Sequence, residues 1–114
     1  MAKVRYSESA ILDKAIAQKL IYDFFENKQS PELAEKHIQT FLEELDNKLD
    51  LLEGNPELFP IRHDYYYGKT TRPIRSFTCH WFIVFYVYYK DTDIIMVYFI
   101  RSARSDYSNV INLF

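Results

Sequence analysis

The chain has one cysteine, Cys79, and only two glycines, Gly54 and Gly68. A lone thiol excludes an internal disulfide framework and fits a reducing compartment, so cytoplasm is the expected location. Two isolated glycines cannot build a glycine-rich phosphate loop. The three histidines, His37, His63 and His80, have no Cys or His partner at metal-ligand spacing. Neither a metal centre nor a cofactor is therefore expected. No stretch approaches the roughly 18 uncharged apolar residues of a membrane helix, and Met1–Tyr6 lacks the apolar core of a secretory signal. Strong basicity is also missing. Net charge is −2 and the pI is 5.9, well short of a dedicated nucleic-acid-binding domain.

Aromatic residues are plentiful instead. They make up 18% of the 114 residues, with ten Tyr and nine Phe, and the hydrophobic fraction is 48%. That is enough apolar surface for one packed domain spanning 1–114. Charge is divided along the chain: residues 1–57 hold seven Lys/Arg against twelve Asp/Glu, and residues 58–114 hold seven against four. Five of the second group are arginines, whose planar fork suits phosphate or carboxylate.

The pattern predicts an α+β fold. Val4-Arg5-Tyr6 reads as a short strand, and Ser7 as the N-cap of a helix with Glu8 in its first turn. Leu12, Ile16, Leu20 and Phe24, widened by Ile21 and Phe25, form the expected buried stripe of a helix over 7–27. Ser30-Pro31-Glu32 restarts a helix over 31–53. Its apolar side carries Ala34, Ile38, Phe41, Leu42, Leu45, Leu49 and Leu52. Its solvated side carries Glu35, Glu43, Glu44, Asp46 and Lys48. Gly54 and Pro56 stop it, and the short connection predicts an antiparallel helical hairpin. A loop over 55–69 holds Tyr65-Tyr66-Tyr67. Strands follow over 70–77, 81–89 and 94–101 in an antiparallel sheet, with a turn at 78–80 and a polar connection at 90–93. Pro73 argues that the first of these lies at an edge or begins its ladder after that residue. Because 81–101 is apolar on both faces, the face not covered by the hairpin is expected to expose aromatics unless the C-terminal tail, a second chain or a partner covers it, which makes it a candidate protein-binding surface.

Cys79 and His80 are neighbours, but adjacent strand residues point to opposite faces, so a catalytic dyad is not expected. The arginines are the better candidates. Arg72 and Arg75 lie on the first sheet strand, and Arg101 and Arg104 lie where the last strand meets Ser105-Asp106-Tyr107. Two uses are open to them: gripping a phosphate and stabilising charge that develops on it, or forming salt bridges with helix acids or Asp106.

The order of elements and the residues at their ends resemble the RelE/ParE superfamily of bacterial type II toxins. The resemblance runs through Val4-Arg5-Tyr6-Ser7, Leu51-Leu52, Asn55-Pro56-Glu57, Arg72-Pro73-Ile74-Arg75, Trp81-Phe82-Ile83-Val84-Phe85-Tyr86-Val87 and Ile100-Arg101-Ser102-Ala103-Arg104-Ser105-Asp106-Tyr107. It implies a toxin neutralised by a cognate antitoxin that wraps over it. RelE-like members cut mRNA on the ribosome without metal, ParE-like members inhibit DNA gyrase, and a degenerate member would only bind its antitoxin. By this resemblance Arg75 and Arg104 match basic nuclease positions, with Tyr107 or His80 left to handle protons. The second strand arginine of the nucleases falls on Phe82, and their C-terminal tyrosine falls near Val110. The long helical hairpin is more like the ParE branch, and the acidic pI weakens attraction to ribosomal RNA.

Overall fold

The computed structural model describes residues 1–28, 30–62 and 73–103. Its elements are β1 (Lys3–Tyr6), α1 (Glu8–Lys28), α2 (Pro31–Gly54), β2 (Arg75–Cys79), β3 (Phe82–Tyr89) and β4 (Ile94–Ser102). The strands make one sheet in the order β1-β4-β3-β2. β2, β3 and β4 form the expected antiparallel meander, and β1 joins β4 in parallel, so the sheet is mixed.

Both helices begin as the sequence predicts. Ser7 Oγ accepts the Ala10 amide at 3.0 Å, and Ser30 Oγ accepts that of Leu33 at 3.2 Å. Each bond satisfies one of the free N–H groups of a helix start. The helices then differ in what they bury. α2 buries Ala34, Phe41, Leu45, Leu49 and Leu52, with Ile38 and Leu42 packed beside them. In α1 the predicted stripe is wrong over its first three turns: Leu12, Ile16 and Leu20 are 61%, 46% and 44% exposed. Ala10, Asp13, Ala17 and Ile21 face inward instead. Both sides of α1 are apolar, so periodicity leaves its rotation open. The small alanines decide it, because they let the helix axis sit close to β4.

The sheet corrects a second expectation. Phe77, Phe82, Val84, Tyr86, Ile95, Val97 and Ile100 pack under the helices, as foreseen. On the other face Ile74, Ile83, Phe85, Val87 and Phe99 are all at most 6% exposed, so that face is not an open aromatic surface. A bulge lies between the two halves of the β3–β4 ladder: Phe85 pairs with Phe99 but Tyr86 with Val97, leaving Tyr98 as the extra residue. It reverses the alternation of β4, so Ile95, Val97 and Ile100 all reach the helix side.

Strand limits shift as well. β2 starts at Arg75 and runs through Thr78 and Cys79, and the turn falls on His80 and Trp81. Positions 70–72 and the Tyr65–Tyr67 cluster lie outside the described residues. His80 has φ 55°, a left-handed conformation that the turn requires. Asp93, at φ 56°, ends the β3–β4 connection and accepts the Tyr88 hydroxyl at 2.6 Å.

Candidate functional site

Arg75 shares the helix-facing side of β2 with Phe77 and Cys79, as strand alternation requires. Its side chain is only 13% exposed. One guanidinium nitrogen donates to the carbonyls of Phe59 at 2.7 Å and Glu57 at 3.3 Å, and the other meets Glu57 Oε2 at 3.2 Å. Lys90 Nζ approaches the second oxygen of the same carboxylate at 3.2 Å, and Tyr86 donates to the Pro56 carbonyl at 3.2 Å. Burial, opposed by Arg75, pushes the Tyr86 phenol up to about 12. These bonds fasten the segment after α2 onto the sheet; Arg75 pairs with Glu57 of that segment, and not with a helix acid or Asp106.

His80 stands beyond the far end of β2. It lies five positions past Arg75, about 17 Å at the usual strand rise. Within hydrogen-bond reach, the two therefore do not share one substrate atom. The turn around His80 is tied to α2. The His80 amide donates to Glu44 Oε2 at 3.0 Å, Glu44 Oε1 pairs with Lys48 at 3.2 Å, and Lys48 donates to the Thr78 carbonyl. His80 Nε2 faces His37 Nδ1 at 3.2 Å. The His37 ring stacks on Phe25 at 3.7 Å and 4°, and Trp81 packs against His80 at 4.8 Å. His37, Glu44 and Lys48 recur at seven and four residues, which puts them on one helix face. Glu44 and Lys48 are thus half-buried tethers and not part of a purely solvated side.

Cys79 is fully buried, and its thiol donates to the Phe41 carbonyl at 3.4 Å. Burial first, then the nearby Glu44 carboxylate, pushes it up to about 12. Such a thiol is inert as a nucleophile near neutrality. Arg104 and Tyr107 lie outside the described residues, as do Arg72 and Val110. Phe82, which takes the place of a nuclease arginine, is 1% exposed and packs on Phe41 at 5.2 Å. Among the described residues no three His, Cys, Asp or Glu side chains could hold a metal ion together.

A groove of about 200 Å³ runs between α1 and the end of β4, lined by Asp13, Ile16, Leu20, Phe82 and Arg101 among others. Asp13 Oδ2 accepts the Ile100 amide at 3.0 Å and lies 3.2 Å from Arg101 Nε. β1 pairs only as far as Val97, so the Asp13 carboxylate takes over as acceptor for a strand amide beyond it. The guanidinium of Arg101 also sits 5.0 Å over the Phe99 ring. Asp13 is invisible to a periodicity reading that assigns inward positions only to apolar residues.

A family model described as the ParE toxin of the type II toxin–antitoxin system parDE matches residues 10–107. The chain belongs to the ParE toxin family. Among solved structures, a chain from the chromosomal ParDE toxin–antitoxin system of P. aeruginosa matches with a TM-score of 0.55 and 18% identity. The match covers 90% of this chain and 96% of that one, and it supports the α+β fold. No curated protein sequence matches. The chain is thus a toxin of the type II class, and the ParE match agrees with the long hairpin of α1 and α2. No helix among the described residues is long and apolar enough to cross a membrane.

Proposed function

We infer that this ParE-family toxin inhibits growth by binding DNA gyrase in the cytoplasm, not by cutting mRNA on the ribosome, and that a cognate antitoxin neutralises it. The observation that carries this reading is the state of Arg75. A nuclease needs its strand cations facing the scissile phosphate, whereas Arg75 is spent on Glu57 and the Phe59 carbonyl. Phe82 supplies core packing where the other strand cation would stand. An inhibitor needs no such cations, only a shaped surface. The stripe of Ile11, Leu12, Ile16 and Leu20 beside the α1–β4 groove offers exposed apolar area of the kind a protein partner covers.

The test combines an assay with purified toxin and one in cells. Gyrase supercoiling of a relaxed plasmid should fall in a dose-dependent manner and recover when the protein encoded beside the toxin is added. Messenger RNA from cells expressing the toxin alone should stay uncut at codons. Cleavage at codon boundaries that disappears in Arg104→Ala, with supercoiling unaffected, would establish the ribosome-dependent nuclease and overturn the gyrase reading.

A further inference from the structure

The two described histidines, 43 positions apart in sequence, meet with ring nitrogens face to face. His37 Nδ1 and His80 Nε2 are 3.2 Å apart, with the rings at 81° to each other. Two imidazole nitrogens on a tetrahedral metal at about 2.0–2.1 Å are separated by about 3.3–3.4 Å. The observed spacing suits a shared proton and lies within about 0.2 Å of that expected for a shared cation.

Both rings are held in place from behind. His37 lies flat on Phe25, and His80 is fixed by its left-handed backbone, by its amide on Glu44 and by Trp81. Both residues are only half-buried, which leaves a way in for an ion. We propose that His37 Nδ1 and His80 Nε2 form a site for a divalent transition metal of the zinc class, joining α2 to the β2–β3 turn. Imidazole is a good donor for Zn²⁺, Cu²⁺ and Ni²⁺ and a poor one for Mg²⁺ or Ca²⁺. Glu44 is engaged with Lys48 and the His80 amide, and Cys79 points into the core, so water completes the coordination shell. A two-imidazole site of this type is reversible, unlike a closed structural zinc site.

Zinc chloride titrated into the untagged chain, followed by calorimetry, tests the site. One zinc per chain is expected, with Mg²⁺ producing no heat. His37→Phe keeps a ring on Phe25, and His80→Asn keeps a residue that tolerates positive φ. Each should weaken zinc by at least about tenfold, and the double variant should abolish binding. The double variant retains His63 and every carboxylate, so undiminished binding there places zinc elsewhere and overturns the proposal. A wild-type chain that takes up no zinc overturns it equally. In the wild type, zinc should also shift the NMR signals of two histidine rings and leave the third in place. That readout needs no variant to fold, and movement of none, or of the third alone, counts against the site. Because gyrase inhibition is measured separately, either proposal can fail without the other.

Discussion

α2 carries its large apolar residues at core positions and buries them, whereas α1 leaves Ile11, Leu12, Ile16 and Leu20 in solvent and packs through Ala10, Asp13, Ala17 and Ile21. The same residue types thus do different work 30 residues apart. In α2 they hold the sheet, and Phe41, at 0% exposure, touches Phe82 and receives the Cys79 thiol on its carbonyl. In α1 small residues permit close approach, and the bulky ones are left for whatever binds outside. The contrast predicts that truncation in α2 damages the fold and truncation on the outer face of α1 damages binding. Phe41→Ala sits at the extreme of the first class. It should lower the unfolding free energy by about 3–5 kcal/mol, read as a fall in the urea midpoint.

Asp13 sharpens the contrast from within α1, because it is the polar member of the buried side. Asp13→Ala strands the Ile100 amide and leaves Arg101 without its counter-ion. Stranding one such donor costs about 1–3 kcal/mol. Asp13→Asn keeps an acceptor oxygen and should recover part of that loss. If Asp13→Ala is as stable as the parent in urea, the carboxylate does not hold the β4 edge.

Cys79 sets a third, pH-dependent effect on the α2 side. Burial, chiefly, pushes it from the ordinary thiol value of 9.0 up to about 12. Between those values the unfolded chain has lost a proton that the folded chain keeps. Stability therefore stands in full below pH 9 and falls as pH rises toward 12. The phenols of half-buried Tyr6 and buried Tyr86, raised from 10.0 to about 12 chiefly by desolvation, add to the same alkaline loss. The urea midpoint should fall from pH 8 to pH 10.5, and less so in Cys79→Ala. Iodoacetamide at pH 8 should label the thiol only after unfolding.

Legibility in the sequence followed how many physical solutions each segment had. Ser30-Pro31-Glu32 and Gly54 bound α2 to within a residue, because an N-cap and proline at the first turn admit one start. The meander followed from short polar turns. The helix α1 was legible but its buried face was not, because it is apolar on two sides and only the size of Ala10 and Ala17 against the sheet selects one. The second sheet face failed because counting apolar residues does not show what covers them. The bulge at Tyr98 has no turn residue to announce it. Of the candidate site, Arg75 and His80 were visible as residue types. Their partners Glu57, His37 and Glu44 come from elsewhere in the chain and only the fold joins them.

The smallest effect on stability is the one that divides the two helices most clearly. Leu12 and Ile16 lie one turn apart on the exposed side of α1, and Ile16 also lines the groove beside Arg101. Exposed substitutions away from packing shift stability by no more than about 0.5 kcal/mol. Leu12→Ser with Ile16→Ser should therefore unfold within about 1 kcal/mol of the parent. A partner that buries both loses well-packed apolar anchors, and such losses reach 2 kcal/mol or more, about thirtyfold in affinity. Calorimetry with a cognate antitoxin reads that loss directly. Unchanged affinity with unchanged stability would show that the outer face of α1 serves neither the fold nor the antitoxin, leaving gyrase inhibition by the same variant as the measurement that decides its use.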